Sequence, residues 1–217
     1  MPSKFIHLHV HSHYSLLQAL PKIDELVDRA KKLGMESLAL TDYGAMYGII
    51  EFYEACTKAG IKPILGLEAY MAFEKLTDKR PRIDDRPTRI VLLAETLEGY
   101  KNLMKLSTIS YLEGFYYKPR IDKEVLRQHA KGIIGLSGGA HGDIAKALAM
   151  DEFGKAEALA REYEDIFGKG NFFLELQDRP EQEEQAARNN DCIKLSEGTG
   201  IPLVATKDVH YLDHDDA

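Results

Sequence analysis

The sequence is poor in cysteine, lacks tryptophan and contains no long apolar run. Only Cys56 and Cys192 are present among 217 residues, which is too few for a disulfide framework and is typical of a reducing compartment. No apolar run approaches the roughly 18 residues that cross a bilayer, and the opening segment MPSKFIHLHVHS lacks the profile of a secretory signal. These absences predict a cytoplasmic protein with no membrane partner.

The sequence also lacks an excess of positive charge. The formal net charge is −7, which argues against a self-sufficient nucleic-acid-binding domain, because neutralising phosphates requires clustered Lys and Arg. Contact with DNA would then depend on a local patch, on metal ions or on a partner. Apolar residues make up 44% of the chain, enough for one sizeable core.

Apolar, β-branched segments alternate with segments of helical spacing along the chain. The predicted strands are Phe5–Val10, Ser37–Thr41, Pro63–Met71, Arg89–Ala94, Gly132–Leu136, Phe172–Leu176 and Pro202–Thr206. The predicted helices are Ile23–Leu33, Ile49–Ala59, Gly99–Leu112, Asp143–Phe167 and Gln182–Gly198. This alternation indicates parallel βαβ units in a barrel or a doubly wound sheet. Residues 74–87 are predicted to be an exposed loop, and the whole of residues 1–217 is predicted to form one domain.

Histidines and carboxylates lie at the predicted strand ends. His9 and His11 end the first strand, Glu68 lies in the third, and Asp208 and His210 follow the last. Alternate residues of a strand share a face, so each His-x-His or Asp-x-His pair presents two ligands together. In parallel barrels the chemistry gathers at this end of the strands. The pattern predicts a site for Zn²⁺ or Mn²⁺.

Several segments resemble one family. FIHLHVHSHYSLLQALPKIDELVDRAKKLGMESLALTDYGAMYG, IKPILGLEAYM, LLAETLEGYKNLMKLSTISYLEGF, GIIGLSGG and PLVATKDVHYL occur in this order. They are similar to the PHP (polymerase and histidinol phosphatase) domains of bacterial DNA polymerase III α subunits, over essentially the whole chain. The resemblance implies an α/β fold, a distorted seven-stranded TIM-like barrel called the PHP fold. It also implies an N-terminal fragment of a longer polymerase chain.

The same resemblance implies nine ligands around three metal ions, of which this sequence keeps five. His9, His11, Glu68, Asp208 and His210 match the family motifs. Four positions do not match. Gln18 stands where the family has aspartate, Tyr43 and Arg89 replace histidines, and Gly139 replaces a cysteine or histidine.

The four replacements leave the ligand set of one implied ion complete. By resemblance, His9, His11, Glu68 and Asp208 would hold that ion. The second ion would use Glu68 with positions 89 and 139, and the third would use positions 18, 43 and 210. We therefore expect one ion of Zn or Mn rather than three. Arg89 is expected to fill the vacated second position and to pair with Glu68 or a phosphate.

Three functions remain open from the sequence. The first is a metal-dependent phosphoesterase of the 3′→5′ exonuclease type, weak in isolation. Its predicted catalytic residues are His9, His11, Glu68, Asp208 and His210. Arg89, Tyr43 and Gln18 are predicted to bind phosphate or to support the ligands. The second is a non-catalytic module of the polymerase, and the third is a free-standing PHP phosphatase. The implied partners are the rest of the α chain, DNA through the full polymerase, and a separate proofreading exonuclease.

Overall fold

Strands and helices alternate through residues 5–178 and 183–216, which the computed structural model describes. The strands are β1 (Ser37–Leu40), β2 (Lys62–Met71), β3 (Thr88–Ala94), β4 (Arg120–Ile121), β5 (Ile133–Leu136), β6 (Phe172–Gln177) and β7 (Leu203–Thr206). The helices are α1 (Ile23–Lys32), α2 (Ile49–Ala59), α3 (Leu97–Leu112), α4 (Lys123–His129), α5 (Asp143–Ala149), α6 (Phe153–Phe167) and α7 (Glu183–Thr199). Two 3-10 turns lie at Gly139–His141 and His214–Asp216.

The strands form one curled sheet in the order β1-β2-β3-β5-β6-β7, with β4 paired to the end of β2. β3 runs antiparallel to both of its neighbours, whereas the other pairs are parallel. The expectation of purely parallel units is therefore wrong at β3. A loop rather than a helix joins β2 to β3, and without a crossover the chain returns antiparallel.

The segment before α1 closes this sheet into a distorted barrel. Val10 forms a parallel bridge to Val209 beyond β7, and its carbonyl accepts the backbone N–H of Thr41 beyond β1. The predicted strand Phe5–Val10 is nevertheless wrong as a regular strand. The Thr41 hydroxyl oxygen accepts the Val10 N–H at 2.9 Å, so a side chain takes the place of a ladder bond.

The predicted helices are largely present, with differences at particular residues. Asp151 adopts a left-handed backbone with φ 58° and separates α5 from α6, where one continuous helix was predicted. Asp122 caps α4, a helix the sequence pattern did not reveal, by accepting the Val125 N–H at 2.9 Å. Gln182, the predicted start of the last helix, lies outside the described residues. None of the described helices is long and apolar enough to cross a membrane.

The inner face of the barrel changes from apolar to charged along its strands. Ala39, Val91, Leu93 and Leu136 pack together inside it. Two residues before Val91, on the same face of β3, lies Arg89, and Glu68 on β2 pairs in register with Val91. Because β3 is antiparallel, its first residues reach the rim where the parallel strands end. The rim is therefore polar above an apolar floor, and the helices cover the outer face.

Candidate metal centre

Four buried side chains meet at the charged rim of the barrel. One ligand atom from each of His9, His11, Glu68 and Asp208 lies within 4.8 Å of all the others. The two histidines come from the closing segment, Glu68 from β2, and Asp208 from the stretch after β7. Asp208 adopts a left-handed backbone with φ 50°, which turns this stretch at the site. The structure thus brings together the four residues expected to hold one ion.

The imidazole Nε2 atoms face the two carboxylates. His9 Nε2 lies 3.0 Å from Glu68 Oε2 and 3.5 Å from Asp208 Oδ1. His11 Nε2 lies 3.1 Å from the same oxygen of each carboxylate. Two carboxylate oxygens and two imidazole nitrogens therefore surround one small volume.

Each Nδ1 atom is held by a group on the other side of its ring. His9 Nδ1 lies 2.7 Å from Glu175 Oε1, and His210 Nδ1–H donates to the Gln18 carbonyl oxygen at 2.8 Å. His11 Nδ1 lies 3.3 Å from the Ser15 hydroxyl, which itself donates to Asp42. With Nδ1 carrying an N–H, each Nε2 atom faces a carboxylate, to which it donates when protonated; the same atom offers a lone pair to a metal ion once that proton is lost. Metal-binding histidines are oriented in this way.

The charges in the cluster are strongly coupled. Burial alone would lower the pKa of His9, but Glu175, Glu68 and Asp208 outweigh it and raise the pKa well above its ordinary value. Burial would raise the pKa of Glu68, but His9 and His11 lower it to about 2. The same histidines, together with His210, hold the pKa of Asp208 well below its usual range. Both carboxylates are therefore ionised and need cationic partners.

His210 and Tyr43 lie at the edge of the four-residue cluster. His210 Nε2 is 3.0 Å from Asp208 Oδ1, although His210 is not one of the four grouped ligands. The Tyr43 hydroxyl lies 3.4 Å from that Nε2 atom, and its ring stacks on His11 with centroids 4.1 Å apart. Burial and the nearby carboxylates raise the pKa of Tyr43 far above 10, so the phenol stays protonated.

Arg89 points into the site rather than towards solvent. Its guanidinium donates to the Tyr43 hydroxyl at 2.8 Å and lies 3.6 Å from Glu68 Oε1. It also stacks over the Tyr43 ring, 4.5 Å from the centroid. The guanidinium thus lies beside Glu68 Oε1, whereas His9 lies beside Oε2. Arg89 and Glu68 form an ion pair whose distance is longer than that of a hydrogen bond. Its expected role in supporting a metal ligand stays a prediction.

Gln18 and Gly139 present no side-chain oxygen, nitrogen or sulfur to the cluster. Gln18 contributes its backbone carbonyl to His210, while its side chain bonds to Tyr70. Gly139 has φ 51°, and a Cβ built there would lie 2.3 Å from the Gln177 amide nitrogen. A side chain at position 139 would therefore have to displace Gln177.

Two further buried carboxylates belong to this site, and one of them, Glu175, was missed from the sequence. Glu175 contacts His9, and Asp42 accepts hydrogen bonds from Ser12 and Ser15. A signal for Glu175 exists in FFLELQ, where one glutamate interrupts an otherwise apolar strand. Period-two alternation places it on the inner face with Phe173 and Gln177. Asp42 lies two residues after β1, where the strand-end rule places polar residues, but it was not among the predicted site residues.

His7 continues the His-x-His spacing but lies outside the cluster. It lines a cavity of about 530 Å³ between α1 and residues 207–212, together with Arg29 and Lys207. Burial and the Lys207 charge lower the pKa of His7, which favours the neutral ring. Among the described residues that line this cavity, Asp208 and His210 belong to the surroundings of the candidate metal centre.

The donor set fits a divalent ion of the zinc and manganese type. Once a metal ion displaces the Nε2 protons, two neutral imidazoles and two carboxylates match the ligand preferences of both ions. The carboxylates are ionised, the Nδ1 atoms have partners, and the Nε2 atoms converge. A buried pair of carboxylates without a cation would lower the stability of the fold. Here either protonated histidines or a metal ion can supply the positive charge.

Comparison with known proteins gives a consistent family. A family model described as the PHP domain matches residues 7–179. The chain is 44% identical over 216 residues to the DNA polymerase III subunit alpha of Borreliella burgdorferi and 45% identical over 214 residues to that of Treponema pallidum. The alignments cover 99% and 98% of this chain but 19% and 18% of those relatives. The chain therefore spans about a fifth of the length of the curated relatives it matches.

Solved structures share the fold at low sequence identity. A protein described as an amidohydrolase from Chromobacterium violaceum, with bound sulfate and no metal, matches with a TM-score of 0.62 and 14% identity, over 98% of this chain and 89% of that one. A candidate metal-dependent phosphoesterase from Bifidobacterium adolescentis matches with a TM-score of 0.57 and 13% identity, over 96% of this chain and 88% of that one. The likeness confirms the predicted distorted α/β barrel.

Proposed function

The chain belongs to the PHP domain family, and from this premise we propose that it is the metal-dependent phosphoesterase-type domain of a DNA polymerase III α subunit. Its site would hold one divalent ion through His9, His11, Glu68 and Asp208. The observation that carries the proposal is the convergence of two Nε2 atoms and two ionised carboxylates within 4.8 Å. Zn²⁺ and Mn²⁺ are the ions we propose.

Each residue of the site has a distinct part in this proposal. When bound, a divalent ion would polarise a phosphoryl oxygen and lower the pKa of a coordinated water. Arg89, whose side chain is 19% exposed, would bind a phosphate oxygen of the substrate through its free N–H groups. Tyr43 would keep Arg89 in place through its hydroxyl. His210, on the open side of Asp208, would carry a proton at Nε2 between the site and solvent.

The proposed activity is weak because one ion lacks the help of two others. Multi-metal phosphoesterases stabilise both the attacking and the leaving oxygen, whereas here Arg89, Tyr43, Gln18 and Gly139 stand at the remaining ligand positions. We therefore propose slow phosphodiester hydrolysis by the isolated chain and no efficient proofreading.

The test combines metal content with hydrolysis. After loading with Zn²⁺ or Mn²⁺ and dialysis, elemental analysis should give one ion per chain. Hydrolysis of bis(p-nitrophenyl) phosphate should be slow, metal-dependent and lost in His9→Ala. The exposed Arg86→Ala serves as the matched control. Two or more ions per chain, or none, would contradict the proposal, as would rapid nucleotide release from single-stranded DNA.

A non-catalytic module of the polymerase is the second candidate. The position of Arg89, 3.6 Å from Glu68, favours it, because a fixed cation there opposes further ions. In that case a metal ion, or protons on the two histidines, would only stabilise the fold. Metal binding without any metal-dependent hydrolysis would favour this candidate. The free-standing phosphatase remains a third alternative, and the likeness to polymerase subunits weighs against it.

The wider partners belong to the same proposal. We propose that the chain works joined to the remainder of an α subunit in the cytoplasm, and that DNA reaches it through that subunit. A separate proofreading exonuclease is a further proposed partner. The support is the name and greater length of the relatives.

A further inference from the structure

Glu175 is a buried carboxylate that contacts His9. It lies on the inner face of β6, is 3% exposed and faces His9 on the side opposite the metal cluster. His9 Nδ1 is 2.7 Å from Glu175 Oε1, while His9 Nε2 is 3.0 Å from Glu68. The imidazole thus bridges an inner carboxylate and the ligand carboxylates.

The hydrogen bonding of Glu175 is concentrated on one oxygen. Oε1 receives the Thr206 hydroxyl, the Gln177 amide at 3.2 Å and the His9 ring N–H. Oε2 has no hydrogen-bond partner within residues 5–178 and 183–216. A buried carboxylate oxygen without a partner costs stability. An amide nitrogen in the place of Oε2 would also lack a partner among the described residues, so the feature to be explained is the gathering of three donors on Oε1.

We propose that Glu175 is a positioning residue that acts on the metal through His9. Three donors fix Oε1, and Oε1 in turn fixes the His9 ring with the N–H on Nδ1 and the lone pair on Nε2. A carboxylate in this position orients a histidine ligand and makes it a stronger donor, and losing it typically costs about 10–100-fold in metal affinity. The inference rests on the proposed metal site and adds a residue that the family ligand set does not contain.

The experiment measures zinc affinity by competition with a chromophoric chelator in four proteins. They are the unchanged chain, Glu175→Gln, His9→Ala and the double variant. Glu175→Gln should bind zinc about 10–100-fold more weakly, and its Co²⁺-loaded form should show shifted visible absorption bands. Its metal-free urea midpoint is measured alongside, so that the loss of zinc affinity can be compared with any loss of stability.

The double variant separates an effect through His9 from a general one. If Glu175 acts through His9, adding Glu175→Gln to His9→Ala should lower zinc affinity no further. Asp84→Asn is the matched control, since it converts another buried carboxylate, remote from the histidines, to its amide. It should lower stability and leave zinc affinity unchanged.

The outcomes distinguish this inference from the proposed function. Normal zinc affinity in Glu175→Gln overturns the positioning role while leaving the metal site intact. An equal loss in the His9→Ala background, or a loss that only follows lowered stability, also overturns it. Absence of zinc binding by the unchanged chain overturns the metal site and this inference together.

Discussion

At the scale of single residues, Arg89 has two opposing effects on metal binding. Its charge lies 3.6 Å from Glu68, where it repels a nearby metal ion but also pairs with the carboxylate. Its bond to Tyr43 and its stacking over that ring hold the guanidinium in one place. Because Glu68 has a second oxygen directed at both histidines, an ordered partner on Oε1 also fixes the orientation of the carboxylate.

We expect Arg89→Ala to weaken metal binding rather than strengthen it. Removing a partly buried contact of about 1 kcal/mol corresponds to roughly a fivefold loss of affinity. Isothermal titration of Zn²⁺ into the variant and into the exposed Arg86→Ala control would measure it. Tighter binding in Arg89→Ala would mean that repulsion between the guanidinium and the ion dominates. The arginine would then be a substitution that weakens the metal site without compensation.

At the scale of elements, a buried arginine organises the loop between β2 and β3. Arg120 of β4 is fully buried, and its guanidinium donates to the carbonyl oxygens of Gly114, Asp84, Leu76 and Asp78 at 2.7–3.0 Å. Three of these carbonyls belong to the loop. The loop is mostly exposed, as predicted, but this arginine fixes its path over the barrel.

We expect Arg120→Met to destabilise the chain by about 3 kcal/mol or more, because several buried carbonyls lose charge-assisted donors. The free energy of unfolding in urea measures the loss. Arg86→Met in the same loop is exposed and should change it by less than about 0.5 kcal/mol. Equal stability of the two variants would show that the loop bonds contribute nothing.

The same loop contains a pH-dependent contact. Hydrogen bonds from Arg80 lower the pKa of Asp84 from 3.8 to about 2, with Nε at 2.8 Å. A carboxyl whose folded pKa is depressed stabilises the fold above its unfolded pKa and loses that effect as the pH falls. The urea midpoints of the unchanged chain and Asp84→Asn should therefore differ at pH 7 and converge between pH 4 and about pH 2. A constant difference would exclude the ionised pair as the cause.

Periodicity found most elements, and the misses have local causes. α1 and α2 were predicted within one residue because their apolar faces and their stops at Gly34 and Gly60 are strong signals. β4 was missed because a strand of two residues is too short to show an alternation of apolar and polar side chains. The four clustered ligands were found from strand-end spacing and resemblance, but Glu175 was not, since its partner His9 lies 166 residues away.

At the scale of the whole molecule, metal binding and folding are coupled. The four clustered ligands come from three separate parts of the chain, so the complete site exists only in the folded barrel. An ion that binds only the folded state stabilises it by mass action.

We expect Zn²⁺ or Mn²⁺ at one hundred times its dissociation constant to add about 2.7 kcal/mol of stability. For a chain of this size that raises Tm by about 5–10 °C. Differential scanning calorimetry with and without EDTA would measure the shift, and His9→Ala at the same metal concentration should show a much smaller one. The same rise in His9→Ala would place the ion elsewhere.

The bridge between Val10 and Val209 also has a consequence for the order of folding. His11 and Asp208 are 197 positions apart, so the loop that joins them must close before either can contact the other, and contacts of such long sequence separation form slowly. During synthesis, β2 and β3 can pair long before Asp208 leaves the ribosome. Competence to bind metal should therefore be the last native property the chain acquires, which makes the ion a marker of completed folding.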